Sequence, residues 1–323
     1  MSLQHHDGHE VRHLSEISRR SLLKGFGIGV GLVAFSDFIA EAATSQTVKL
    51  PGFSAFASSV KVTRGANYYL IESNGIPAHQ MMVGIKSWQE QIPTPQPYFG
   101  NNAWSLPIKP ALAATPISNV GNFLRGAIAI AANGIPIFNA LNNRGDDAFL
   151  AGELDNFGGH CGQADDYHYH TAPLHLQSVV GTTSPIAYAL DGFAIYGALE
   201  PDGTPINKLD SYNGHTYKKG LYHYHGTATY PYINGGFRGV VTQKDGQVDP
   251  QAATHAFRPS QAPLPGATIT SCRNLGNGHF ILTYTLNGQV TTIDYRADFS
   301  TVTILTTVGS STPTQQVFKR VVS

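Results

Sequence analysis

"ADDYHYHTAPLHL" (164–176) sets a histidine on each side of Tyr169, and "GLYHYHGTATYPY" (220–232) repeats the same tetrad 55 residues later. If Tyr167–His168–Tyr169–His170 is a strand, its side chains alternate between faces, so both histidines project to one side and both tyrosines to the other. Two imidazoles on one face are close enough to converge on one ion. On a helix, positions i and i+2 diverge and chelation is lost. The residue types therefore call for an extended backbone, and the same reasoning applies to Tyr222–His223–Tyr224–His225. Were the two segments to lie side by side, His168, His170, His223 and His225 would face a single point. His160, in "GGHCG", is a candidate fifth ligand. Asp191 could bind directly, or accept a ring N–H and so orient a ligand. An isolated H-x-H more often marks the polar face of a sheet; the duplication is what favours metal.

Imidazole suits copper, zinc, iron and nickel, and no dense set of thiolates or carboxylates intrudes. Copper or zinc is the expected metal, with iron as a further option. His5, His6, His9 and His13 precede a pair of arginines and leave with the leader described next. His175, His215, His255 and His279 read as surface or hydrogen-bonded histidines, and His79 is open.

The front of the chain reads as an address. "SRRSLLK" (18–24) fits the twin-arginine export pattern, "GFGIGVGLVAFSDFIAEA" (25–42) is a glycine-diluted apolar run, and Ala40-Glu41-Ala42 offers a small-x-small cleavage site. The run is too short, and too interrupted by Asp37, for a membrane span of about 20 residues. Residues 1–42 are therefore expected to be a signal peptide read by the twin-arginine export machinery, with a mature protein in the periplasm or secreted and no mature membrane anchor. That route carries folded proteins, often with a metal already inserted.

The chain has 21 basic and 21 acidic residues, so no charge excess points to nucleic acid. Only 13% of residues are charged, while 34 glycines and 19 prolines favour short strands and tight turns over helices. Asn-Gly-Ile-Pro at 74–77 and at 133–136 reads as strand–turn–strand. The proline-rich stretch 88–118 reads as an irregular excursion over the surface, and 146–159 as the best internal helix. Two short apolar strands flank Asp191-Gly192, a hairpin turns at Asn287-Gly288 within 279–295, and 301–308 adds a strand. The expectation is a mainly β, compact domain over 43–260 with few short helices, followed by a C-terminal β extension over 261–323. Cys161 and Cys272 are permitted a disulfide in an oxidising compartment, and a thiolate ligand is the alternative.

"SNGIPAH", "DDYHYHTAP", "LDGFAIYG" and "LYHYHGTATYPYINGGFRG" together resemble the motif series of bacterial YHYH domain proteins, over about residues 60–241. The resemblance implies metal binding, without a settled activity to transfer. The family commonly has cysteines where Phe157 and Gly236 stand here, and a proline where Ala194 stands.

Three functions fit. The first is an exported protein with a His-rich transition-metal site, in metal handling or redox chemistry. The second is a metal-dependent enzyme: a zinc hydrolase or lyase, or a Tyr/His non-haem iron oxygenase, acting on a small molecule the sequence does not name. Asp191 and Arg238 are then the nearest catalytic candidates, for proton transfer and anion binding. The third is a non-catalytic envelope recognition domain.

Overall fold

The computed structural model describes residues 46–320, so the expected signal peptide with its twin arginines lies outside the described residues. The fold is mainly β. β1 (Gln46–Thr47), β2 (Lys61–Arg64), β3 (Tyr68–Glu72) and β4 (Trp104–Pro107) form an antiparallel sheet, and β5 (Leu112–Ser118) follows. The central sheet takes β6 (Ala127–Ala131), β7 (Pro136–Phe138), β8 (Gly159–Cys161), β9 (Tyr167–Tyr169), β10 (Ala187–Ala189), β11 (Ala194–Tyr196), β12 (Gly214–Thr216) and β13 (Tyr222–His225). Next come β14 (Gly236–Gly239), which pairs with β5, and the ribbon β15 (Thr242–Lys244) and β16 (Gln247–Asp249). The C-terminal extension is a five-stranded antiparallel meander: β17 (Thr268–Gly276), β18 (His279–Leu286), β19 (Gln289–Ala297), β20 (Thr301–Val308) and β21 (Thr314–Lys319). Gln177–Val180 is the one α-helix among the described residues. No helix among them is long and apolar enough to cross a membrane.

The central sheet runs β12-β13-β11-β10-β6-β7-β9-β8. Its order is the same read from either end, because it is built from two copies of one four-strand unit. β6-β7-β8-β9 is one copy, β10-β11-β12-β13 the other, and they meet where β6 pairs antiparallel with β10. The hairpin turns correspond bond for bond. Ala131 N donates to Ile135 O at 2.9 Å in one copy, and Ala189 N to Phe193 O at 3.0 Å in the other. The entry to each tetrad strand corresponds too: Asp155 N to Gly159 O and Asp210 N to Gly214 O are both 2.8 Å. β6 and β10 hold the middle and are buried along their whole length, as their continuous apolar sequences require. The tetrads are thereby carried outward, one to each end of the sheet.

Several expected elements differ in the structure. Residues 146–159 form turns and no helix. Asp147 Oδ1 accepts from the amides of Phe149 and Leu150, and Asp155 Oδ1 from those of Phe157 and Gly159. The acidic side chains thus capture local amides that a helix would need. Asn133-Gly134 does close the β6–β7 hairpin, but at Asn74-Gly75 the chain leaves its sheet, and β3 pairs with the distant β4. The stretch 88–118 is no surface excursion. Residues 92–96 are buried, because the C-terminal sheet lies against them: Tyr295 Oη donates to Pro93 O at 2.7 Å, and Arg320 to Pro95 O and Gln96 Oε1. The hairpin at Asn287-Gly288 and the strand 301–308 are present as β18–β19 and β20. Cys161 and Cys272 are both buried free thiols, and burial pushes Cys272 up to about 12.

Candidate metal centres

Each tetrad strand is the second strand of a hairpin whose first strand carries one more histidine. His160 on β8 lies directly across from His168 on β9, and His215 on β12 directly across from His223 on β13. Cross-strand partners share a face, so each H-x-H pair gains a third imidazole. The result is two separate clusters: His160, His168 and His170 in one, and His215, His223, His225 and Glu200 in the other. Within each, the ligand atoms all lie within 4.8 Å of one another. The expectation of four tetrad histidines around one point is corrected by the strand order. Five strand-to-strand steps separate β13 from β9, about 24 Å at about 4.8 Å per step, too far for one ion.

The first cluster is shaped from behind. His170 Nδ1 donates to Asn139 O at 2.5 Å, and His168 Nδ1 to Asp166 O at 3.0 Å. A carbonyl can only accept, so these nitrogens carry the ring protons and the neutral rings present bare Nε2 atoms to the front. His160 Nε2 and His170 Nε2 stand 3.1 Å apart, and Phe138 stacks on His168 with ring centroids 3.9 Å apart. Burial holds His170 down at about 3 and His160 well below the usual histidine range.

The second cluster repeats this plan with a carboxylate added. His225 Nδ1 donates to Gly197 O at 2.9 Å, the position 58 residues after Asn139. Nε2 of His223 lies 2.9 Å from Nε2 of His225 and 3.2 Å from that of His215. Glu200 offers Oε1 at 3.0 Å from His215 Nε2 and Oε2 at 3.1 Å from His223 Nε2. Burial, ahead of the neighbouring imidazole charge, lowers His223 to about 4. The counterpart of Glu200 by position in the first unit is Asn142, and the main chain is the same at both. Asn142 N donates to Asp146 O at 2.8 Å and Glu200 N to Thr204 O at 2.9 Å. Asn142 instead turns its amide towards Glu153, 3.3 Å from either carboxylate oxygen.

The tetrad tyrosines point to the opposite face and are held by carboxylates or amides. Tyr167 Oη donates to Asp155 at 2.8 Å, Tyr222 Oη to Asp210 at 2.9 Å and Tyr224 Oη to Asp191 at 2.6 Å. Asp191 also accepts from the amides of Phe193 and Gly239. It therefore stands on the tyrosine side, where burial raises it to about 6, and no imidazole reaches it. Arg238 lies there too, its guanidinium 5.7 Å above the Tyr222 ring and its amide donating to Tyr224 Oη. Neither faces a histidine cluster. Cys161 follows His160 on β8 and belongs to neither cluster.

Two cluster members escaped the sequence reading. His215 reads in the sequence as a surface or hydrogen-bonded histidine, although Gly-His precedes the first tetrad histidine by eight residues in both units, at Gly159-His160 and Gly214-His215. Glu200 becomes visible only when "NGIPIFNALNN" (133–143) is laid over "DGFAIYGALEP" (191–201). His79 stacks on Phe157 and meets Tyr169 Oη at 2.6 Å, with His175 edge-on beside it. His279 pairs with Asp294 at 2.8 Å.

Both clusters are compatible with metal binding, by donor type and by spacing. No curated protein and no solved structure matches the chain. The YHYH protein family model matches residues 103–206, which hold the whole first cluster and Glu200, and the chain therefore carries a YHYH-family domain.

Proposed function

We propose that this is an exported metal-binding protein with two transition-metal centres, one on His160, His168 and His170 and one on His215, His223, His225 and Glu200, serving metal handling or redox chemistry. The observation that carries the reading is the convergence of three imidazole ligand atoms within 4.8 Å in each cluster. Nδ1 of His168, His170 and His225 is committed to a carbonyl, so each of these rings turns an Nε2 lone pair towards its cluster, where a shared proton or a cation can hold the neighbouring nitrogens about 3 Å apart. A tetrahedral ion with ligands at about 2.0–2.1 Å sets neighbouring nitrogens roughly 3.3 Å apart, close to the separations of 2.9 to 3.2 Å. Copper, zinc or iron suits such donors, and the added carboxylate excludes none of them.

Metal analysis of purified protein tests this. Two equivalents per chain are expected. His168→Ala with His170→Ala should leave one, His223→Ala with His225→Ala should leave one, and His255→Ala with His279→Ala should leave both. Protein that takes up no stoichiometric metal would overturn the reading. Delivery outside the cytoplasm is supported by the pattern Ser18–Lys24. Replacing Arg19 and Arg20 by lysine should hold the precursor in the cytoplasm, and normal delivery of that variant would remove the localisation.

A second reading, a metal-dependent enzyme, is favoured by one observation. The first cluster lines a cleft of about 560 Å³, and three imidazoles leave a tetrahedral ion one position for water, whose pKa zinc can bring to about 7.

A further inference from the structure

The two centres descend from one plan, so the residues that differ between them define what differs in their chemistry. At the position where the second unit supplies Glu200, the first supplies Asn142, with its Nδ2 given to Glu153 and its Oδ1 accepting from the amides of Arg144 and Asp146. An ion in the second centre is closed by three imidazoles and a carboxylate. One in the first is not.

The cleft before the first centre holds acidic residues that have partners and two buried donors that have none. Its acidic residues are engaged: Glu153 by Arg144 and Asn142, and Asp166 by the Ala164 amide, with His168 Nδ1 at 3.5 Å. Its donors are not. Tyr98 and Trp104 line the cleft, are 0% and 2% exposed, and their Oη and Nε1 have no hydrogen-bond partner among the described residues. A buried donor without an acceptor is costly, so each of these groups calls for an acceptor, a water or a ligand oxygen, at this place. Arg125, exposed at the same cleft, has no carboxylate partner among the described residues.

We propose that the first centre is the ligand-accepting one: its fourth position takes an oxyanion, carboxylate or phosphate, with the far side of the ligand met by Trp104, Tyr98 and Arg125, while Glu200 keeps the second centre closed. This rests on the metal reading. An oxyanion satisfies the two unpartnered donors and balances the charge of an ion held by neutral ligands, in a cleft where Glu153 is already paired with Arg144.

Cobalt(II)-loaded protein tests it, because the visible bands report a change in coordination. Acetate and inorganic phosphate, titrated separately against a chloride control, should shift the bands of the wild type. The same shift should persist in His223→Ala/His225→Ala and be absent in His168→Ala/His170→Ala. Asn142→Glu should keep its cobalt and lose the response, and Glu200→Gln, a milder change to the second centre, should retain it. Trp104→Phe and Arg125→Ala should weaken the apparent anion affinity severalfold. Which anion acts tells carboxylate from phosphate. Two equivalents of cobalt with no anion response would overturn this proposal and leave the metal reading intact, as would a response that follows the second centre or ignores Trp104 and Arg125. Failure to load cobalt at all would remove both.

Discussion

At the scale of single residues, glycine decides whether a tetrad tyrosine can reach its carboxylate. Gly159 and Gly214 begin the first strands of the two hairpins, and a Cβ on either would collide with the phenol oxygen of Tyr167 or Tyr222. Those phenols are the groups bonded to Asp155 and Asp210, so the absent methyl lets each tyrosine lie flat across its neighbour. Gly214→Ala should displace Tyr222, destabilise the fold by about 1–3 kcal/mol as overpacking does, and lower affinity at the second centre more than at the first. Thermal unfolding and metal titration of the variant check both parts; an unchanged Tm would show that the phenol is free to move. The same scale separates Asp191 from the histidine clusters. A buried carboxyl raised to about 6 resembles an acid–base group, and only its partner, Tyr224, shows that it serves the tyrosine face.

Among elements, the hairpins make the ligand sets, and the segment that leads into the meander braces the first of them. The β8–β9 hairpin is tied to the C-terminal part of the chain through its loop, where Arg258 Nε and Nη2 donate to Asp165 Oδ2 and Oδ1 at 2.8 and 3.0 Å. Asp165 is 3% exposed, and its other listener is the Ile92 amide at 2.9 Å. Arg258→Met would leave a buried carboxylate without its countercharge, which costs about 3–5 kcal/mol. Urea unfolding should show a loss of that order, with the first centre's metal affinity falling alongside. A loss below about 1 kcal/mol would mean that the pair is worth no more than a surface ion pair.

For the whole molecule, the two clusters couple stability to pH and to metal. His170, held at about 3, and His223, at about 4, are depressed below the unfolded value of about 6.5. Between those limits the unfolded chain binds protons that the folded, metal-free chain does not, so stability is full above about 6.5 and is lost as pH falls towards 4. Asp191, raised to about 6, has the opposite sign, since its contribution is lost as pH rises from about 3.8 to about 6, and it partly offsets the histidines. The Tm of metal-free protein should therefore fall on acidification from pH 7 to 5. Metal at 100 times its Kd should add about 2.7 kcal/mol per centre at pH 7 and progressively less as protons compete for the ring nitrogens. A Tm that is flat across this range, with and without zinc, would contradict both clusters at once.

The sequence by itself determined the features that depend on near neighbours. Strand alternation put His168 with His170, and His223 with His225, on one face of each strand, and the turn-forming pairs Asn133-Gly134, Asp191-Gly192 and Asn287-Gly288 placed three hairpins. Both depend on local backbone geometry, which a short window of residues specifies. Which strand lies beside which was decided by the tertiary structure. The buried strands β6 and β10 pair in the middle of the sheet because they are apolar on both faces, and that pairing drives the tetrads to opposite ends. His215 and Glu200 join a cluster through contacts with residues 8 and 23 positions away, beyond any single strand or turn. The proposed difference between an open centre and a closed one comes down to Asn142 against Glu200, whose correspondence the overlaid repeats carry but whose distance from the imidazoles only the fold sets.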